Sequence, residues 1–176
     1  MLGILSVWLA GYAQILSGGF EYFGEWSDVS VSKSDDPHAS GNVLTLWKDN
    51  GEIVGFLNEY VGPVGDAPFG PIQDVKYDAN SGQFSFGVKL SRGVINLPGR
   101  NELVPTRDFY VFTGIINDQD IRGVLEEQDH IYNVNPVKRD VVWKRTEREN
   151  SFWTGKTLQE WSDYYAPILK FRGPKW

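Results

Sequence analysis

From Phe20 onward, apolar and polar residues alternate in short runs separated by turn residues, the period-two pattern of strands with one buried and one wet face. The first run, Phe20 to Ser32, predicts a long strand, and the polar stretch Lys33 to Gly41 predicts a loop. NVLTLWKD and EIVGFLNEYVG then flank Asn50-Gly51, a dipeptide favoured in type I′ hairpin turns because both central residues need positive φ. Gly62 to Pro71 is rich in glycine and proline and reads as a loop between two hairpins. The second hairpin pairs IQDVKYD with QFSFGVKLS through Ala79 to Gly82. On its second arm Phe84, Phe86, Val88 and Leu90 alternate with Ser85, Gly87 and Lys89, so the apolar four share one face. Arg92 to Thr106 reads as a long surface loop. A third hairpin runs from DFYVFTGII through Asn117 to Asp120 into IRGVLEEQD, and the strand RDVVWKRTE follows an Asn133 to Pro136 turn.

Strands joined mainly by short hairpins predict an all-β fold, an antiparallel up-and-down barrel of about eight strands, because closure leaves no strand edge unpaired. The tail differs. Thr157-Leu158-Gln159-Glu160 matches a capping box, so a C-terminal helix is predicted to start there, and Leu158, Trp161 and Tyr165 share the face that lies against the barrel. Pro167 is expected to end it. No linker splits residues 20–176, which therefore read as one domain.

Residues 1–19 form an apolar N-terminal segment. Leu2 to Leu16 carries no charge and is too short for a transmembrane helix, which needs about 20 apolar residues, so no integral membrane span is expected. It has the apolar core of a secretory signal, with Gly11 and Ala13 at cleavage-site spacing, but no positive n-region. Two readings follow: a truncated signal peptide, with extracellular or periplasmic localisation, or a retained segment packed on the barrel of a cytoplasmic protein.

Composition narrows the chemistry. A net charge of −6 opposes phosphate binding, so no nucleic-acid partner is expected. With no cysteine there are no disulfides, thiol nucleophiles or thiolate metal sites. His38 and His130 read as surface residues, and neither metal-ligand spacing nor a nucleophile elbow occurs, so no catalytic residue, metal or cofactor is assigned.

Gly24-Glu25-Trp26 at the start of the first long strand, with Arg145 at the end of the last, resembles the Gly-x-Trp signature and late arginine of lipocalins and the wider calycin superfamily. The turn Ile116 to Asp120 stands where that family has Thr-Asp-Tyr. The resemblance covers roughly residues 20 to 168 and implies that Trp26 seals one end of the barrel under the Arg145 guanidinium, with Gly24 beside it and Arg139 the alternative cation. It also implies carriage of a small hydrophobic molecule.

Ile53, Gly55, Leu57 and Glu59 share a face, so if the first three point inward Glu59 does too, with Arg122 or Glu126 as its partner; the plainer reading leaves these charges at the rim or outside. The expected ligand-binding set is Leu57, Glu59, Phe84, Phe86, Val88, Leu90, Tyr110, Phe112 and Arg122. Binding of a small hydrophobic ligand is the first functional expectation. A calycin-type enzyme (isomerase, cyclase or hydrolase) using Glu59 with a Tyr or Arg is the second. A protein-interaction module with a filled barrel, docking through Trp47, Phe56 and Trp143, is the third.

Overall fold

The computed structural model describes residues 19–33, 35, 37–63, 67–97, 99, 101–132 and 134–176; the signal-like stretch Leu2 to Leu16 lies outside them. The strands are β1 (Glu21–Ser27), β2 (Ser30–Val31), β3 (His38–Asp49), β4 (Glu52–Pro63), β5 (Phe69–Tyr77), β6 (Gln83–Leu90), β7 (Val94–Asn96), β8 (Leu103–Pro105), β9 (Asp108–Ile116), β10 (Asp120–Asp129) and β11 (Val137–Arg145). A single α-helix, α1 (Leu158–Arg172), follows them.

Strand order in the main sheet is β1-β11-β10-β9-β6-β5-β4-β3-β2, every pairing is antiparallel, and β1 also pairs with β3. That last pairing closes an eight-stranded ring, with α1 outside it. The predicted first strand is interrupted at Asp28 and Val29, leaving β2 as a two-residue continuation on β3. There Asp28 Oδ1 accepts from the Asn42 backbone N–H at 2.6 Å, and a Cβ on Gly41 would stand 2.8 Å from Asp28, so glycine is what lets the two segments meet.

Four boundaries differ from expectation, the first being β3, which begins at His38 inside the predicted Lys33 to Gly41 loop. The stretch Arg92 to Thr106 is not a plain loop, since β7 and β8 pair in a small separate hairpin. β5 begins at Phe69 inside the predicted Gly/Pro loop, and Pro71 stands at the end of the short β4–β5 ladder, opposite Phe56, where a missing N–H interrupts least. Pro167 lies inside α1 rather than ending it. Ile168 and Leu169 beyond the proline still pack against the barrel, and this burial carries the helix past the missing N–H.

Alternation sorts the aromatic load into two layers. Inside the ring Trp26, Leu44, Leu46, Leu57, Phe84, Phe86, Val88, Leu90, Tyr110, Phe112, Leu125 and Trp143 form one cluster. Outside it Trp47, Phe56 and Phe69 are roofed by Trp153 and α1, with Trp161 stacked on Phe56 at 5.0 Å. The predicted outer triad is therefore corrected: Trp143 points inward and stacks on Phe112 at 5.2 Å, and Trp47 and Phe56 are covered by the chain's own helix.

Candidate functional site

The two ends of the barrel differ in chemistry. At the end carrying the β3–β4, β5–β6 and β9–β10 turns, Trp26 is a ladder partner of Arg145, whose guanidinium carbon lies 5.2 Å from the indole centroid. Arg145 Nη2 also donates to the Phe23 carbonyl at 2.9 Å. A Cβ on Gly24 would stand 2.7 Å from the Trp26 ring, so glycine makes room for the indole. Gly24, Trp26 and Arg145 thus lie together at this end.

Between the ends the barrel is full. Leu57, Phe84, Phe86, Val88, Leu90, Tyr110 and Phe112 are all turned inward, as predicted, yet each exposes at most 2% of its surface. A ligand-sized void would leave the side chains around it open to water. Instead Phe86 stacks on Phe112 at 5.4 Å, and the predicted apolar pocket is filled by the rows meant to line it.

The opposite end is polar. Glu59, one position past Leu57 on the inward face, is only 5% exposed and faces Asn42 across the β3–β4 ladder. Tyr110 donates its hydroxyl to Glu59 Oε1 at 3.0 Å and Oε2 at 2.9 Å. Two residues before Tyr110 on the same face, Asp108 is buried at the start of β9. Arg92, reaching in from just before β7, joins these groups: its Nη2 donates to Asp108 Oδ1 at 2.8 Å and to Glu127, and its Nη1 stands 3.8 Å from Glu59 Oε1.

Burial raises the Glu59 pKa above its ordinary 4.5, and the opposing pull of Arg92 and the Tyr110 hydrogen bond does not cancel that effect. The Tyr110 hydroxyl is raised by burial and then by the Glu59 charge. For Arg92 burial acts downward, but the hydrogen bond to Asp108 and the neighbouring acidic groups outweigh it, so the guanidinium stays charged.

Hydrogen-bonding capacity is left over. Asn42 is fully buried and neither its Oδ1 nor its Nδ2 has a protein partner; Asp108 Oδ2 is likewise buried and unpartnered. Around this mouth the strand ends, the β7–β8 hairpin and the segment before β11 carry Val31, Val61, Val94, Leu103, Val134 and Val137, each more than half exposed.

Arg122, expected inside as a partner of Glu59, is turned out to solvent instead. It donates to Asp120 through Nε at 3.0 Å and Nη2 at 2.6 Å, and Lys144 reaches the same carboxylate at 2.9 Å. Glu126 also pairs elsewhere, with Lys138 at 2.9 Å. The reason is alternation: Ile121 and Leu125 take the inward positions of β10, which sends Arg122 to the opposite face.

Sequence reasoning missed Asn42, Asp108 and Arg92. For the first two a signal existed, since Asn42 shares a face with Leu44 and Leu46, and Asp108 with Tyr110 and Phe112. Arg92 lies in a loop, where no periodicity tells which way a side chain turns.

No protein-family model, curated protein or solved structure matches the chain. Among the described residues no helix is long and apolar enough to cross a membrane.

Proposed function

We propose that this chain is a lipocalin-like binding protein that takes a small amphipathic molecule, largely hydrophobic with one polar end, at the barrel mouth opposite Trp26 and Arg145. The carrying observation is Asn42, an amide wholly buried on the inward face with both polar atoms unsatisfied. Leaving a buried polar group unpaired costs about 1–3 kcal/mol, so such groups mark places where another molecule completes the hydrogen bonding. Asn42, Glu59, Tyr110 and Asp108 would hold the ligand's polar end. Its apolar body would lie over the β7–β8 hairpin and the exposed valines of the rim rather than among the packed rings.

The test is thermal shift and tryptophan fluorescence against amphiphiles differing in head group: fatty acids, retinoids, tetrapyrroles and alkylamines. Saturable stabilisation by at least one class, lost when Asn42 is replaced by Leu, supports the reading. No response from any class overturns it.

The contact between Glu59 and Tyr110 favours one second reading, a calycin-type enzyme in which Glu59 transfers a proton. A carboxyl group whose pKa is raised by burial can hold and release a proton closer to neutral pH than an exposed one. Under this reading Glu59→Gln keeps ligand binding and abolishes turnover, whereas a pure carrier shows no turnover to lose.

A further inference from the structure

The mouth holds more hydrogen-bond acceptors than its own donors use. One guanidinium, that of Arg92, is surrounded by the carboxylates of Asp108, Glu127 and Glu59, with the Tyr110 ring centroid 6.0 Å from its central carbon. Carboxylates with an aromatic wall are the ordinary surroundings of a bound cation. Arg139 on β11 is the other cation acting on Glu59, and it is exposed. Asp129, the ladder partner of Asp108, spends its Oδ1 on the backbone amides of Ile131 and Tyr132. With Arg92 bonded, Asp108 Oδ2 and Asn42 Oδ1 remain buried acceptors without a protein donor, and the Asn42 Nδ2 is a buried donor likewise unused.

Only the side chain of Arg92 is committed to this cage. Its backbone is pinned at the rim, where the Arg92 N–H donates to Thr106 Oγ1 at 2.7 Å and the Thr106 N–H to the Gly93 carbonyl at 2.9 Å. One third of the side chain is already exposed. A change of rotamer therefore frees the cage without moving the hairpin, but leaves the carboxylates mutually repelling unless another cation follows.

Resting on the binding reading above, we propose that the ligand's polar end is itself a cation, an alkylammonium or alkylguanidinium, and that Arg92 is a tethered stand-in which the ligand displaces. The ligand's N–H donors replace those of Arg92 on Asp108 Oδ1 and reach the two unused acceptors, Asp108 Oδ2 and Asn42 Oδ1. Ligands headed by a carboxylate are repelled by Glu127 and Asp108.

The experiment uses the full chain with Arg92→Ala and the probes n-butylguanidinium and n-butylammonium, with butanol and butyrate as controls. The variant should melt below the wild type and be restored saturably by either cation but by neither control. Its apparent Kd should be at least tenfold tighter than that of the wild type, whose own Arg92 competes, and Arg92→Ala with Asp108→Asn should not respond. Should Arg92→Ala fail to fold, the side-chain N–H resonances of Arg92 in the wild type provide the readout, and must move on titration with butylguanidinium. Rescue by butanol, rescue that survives Asp108→Asn, or no effect of either cation overturns the proposal. Wild-type binding of neutral or acidic amphiphiles alongside such a failure leaves the binding reading standing. Cation uptake by Arg92→Ala with no amphiphile bound by the wild type supports the cage and removes that reading instead.

Discussion

Trp26 and Arg145 are ladder partners on adjacent strands, and the guanidinium of one covers the indole of the other while donating to the Phe23 carbonyl. The pair joins the first strand of the barrel to the last, where closure of the sheet is shortest: β1 and β11 pair through only Trp26 with Arg145 and Ser27 with Lys144. A short seam depends strongly on side-chain packing, because few ladder hydrogen bonds support it.

Trp26→Ala should therefore be severe, costing about 3–5 kcal/mol as a buried aromatic removed from a filled core. Arg145→Ala should cost about 1 kcal/mol, the scale of an exposed cation–π contact together with one hydrogen bond. Urea midpoints check both. Arg145→Lys should recover part of the loss, since an ammonium keeps the charge but not the flat stacking surface.

A pH dependence follows from Glu59. Its folded-state pKa is raised by burial, so the folded protein holds that proton more tightly than the unfolded chain does. The resulting stabilisation is complete below the ordinary value of 4.5 and is lost as pH rises through the folded-state value. Asp120 behaves oppositely, held low first by Arg122 and then by Lys144, so its contribution is present above the usual carboxylate range and fades in acid. Glu59→Gln should leave stability at about pH 4 nearly unchanged and raise it relative to wild type at about pH 8. Urea titrations at the two pH values, wild type against variant, isolate Glu59 because Asp120 is common to both. An equal loss at both values would show instead that the carboxyl group is structural.

The barrel was legible in the sequence because alternation and turn residues are local signals, and the Asn50-Gly51 hairpin and the Thr157 capping box form where expected. The spacing of Glu59 to Leu57 offered its inward direction for the same reason, although the plainer reading placed that charge at the rim or outside, because unpaired charges are seldom buried. Its partners were not legible. Tyr110 and Arg92 reach Glu59 across the barrel end, and no pattern along one strand reports which side chains meet across a ring. Whether the inward rings fill the barrel or line a cavity also depends on barrel diameter and ring orientation, which period-two alternation leaves open.

The outer helix gives a test of what holds it. Thr157 Oγ1 accepts from the Glu160 N–H at 3.2 Å and Glu160 Oε2 accepts from the Thr157 N–H at 2.8 Å, and Thr157→Ala should cost about 1 kcal/mol by removing this box. Trp161→Ala should cost about 3–5 kcal/mol, because Trp161 lies 5.0 Å from Phe56 and 5.5 Å from Trp47 and roofs both. Binding of a hydrophobic dye should rise sharply for Trp161→Ala and little for Thr157→Ala. Equal dye binding by the two variants would mean that the helix start, rather than the ring contact, keeps the roof on.

Asn42→Leu separates stability from function. In the protein Asn42 occupies an inward position followed on the same face by Leu44 and Leu46, and its side-chain amide is satisfied by no protein atom. Leucine has a similar volume and no polar atoms, so the substitution removes an unsatisfied amide without opening a cavity, and stability should rise by about 1 kcal/mol or more. Proteins retain such a defect where activity requires it. The same variant should then lose affinity for whatever amphiphile the wild type binds, by about tenfold or more for each hydrogen bond forfeited. Melting temperature and ligand titration on one pair of proteins give both numbers. A destabilised Asn42→Leu with unchanged affinity would make the amide a structural element of the barrel end and take the ligand away from this mouth.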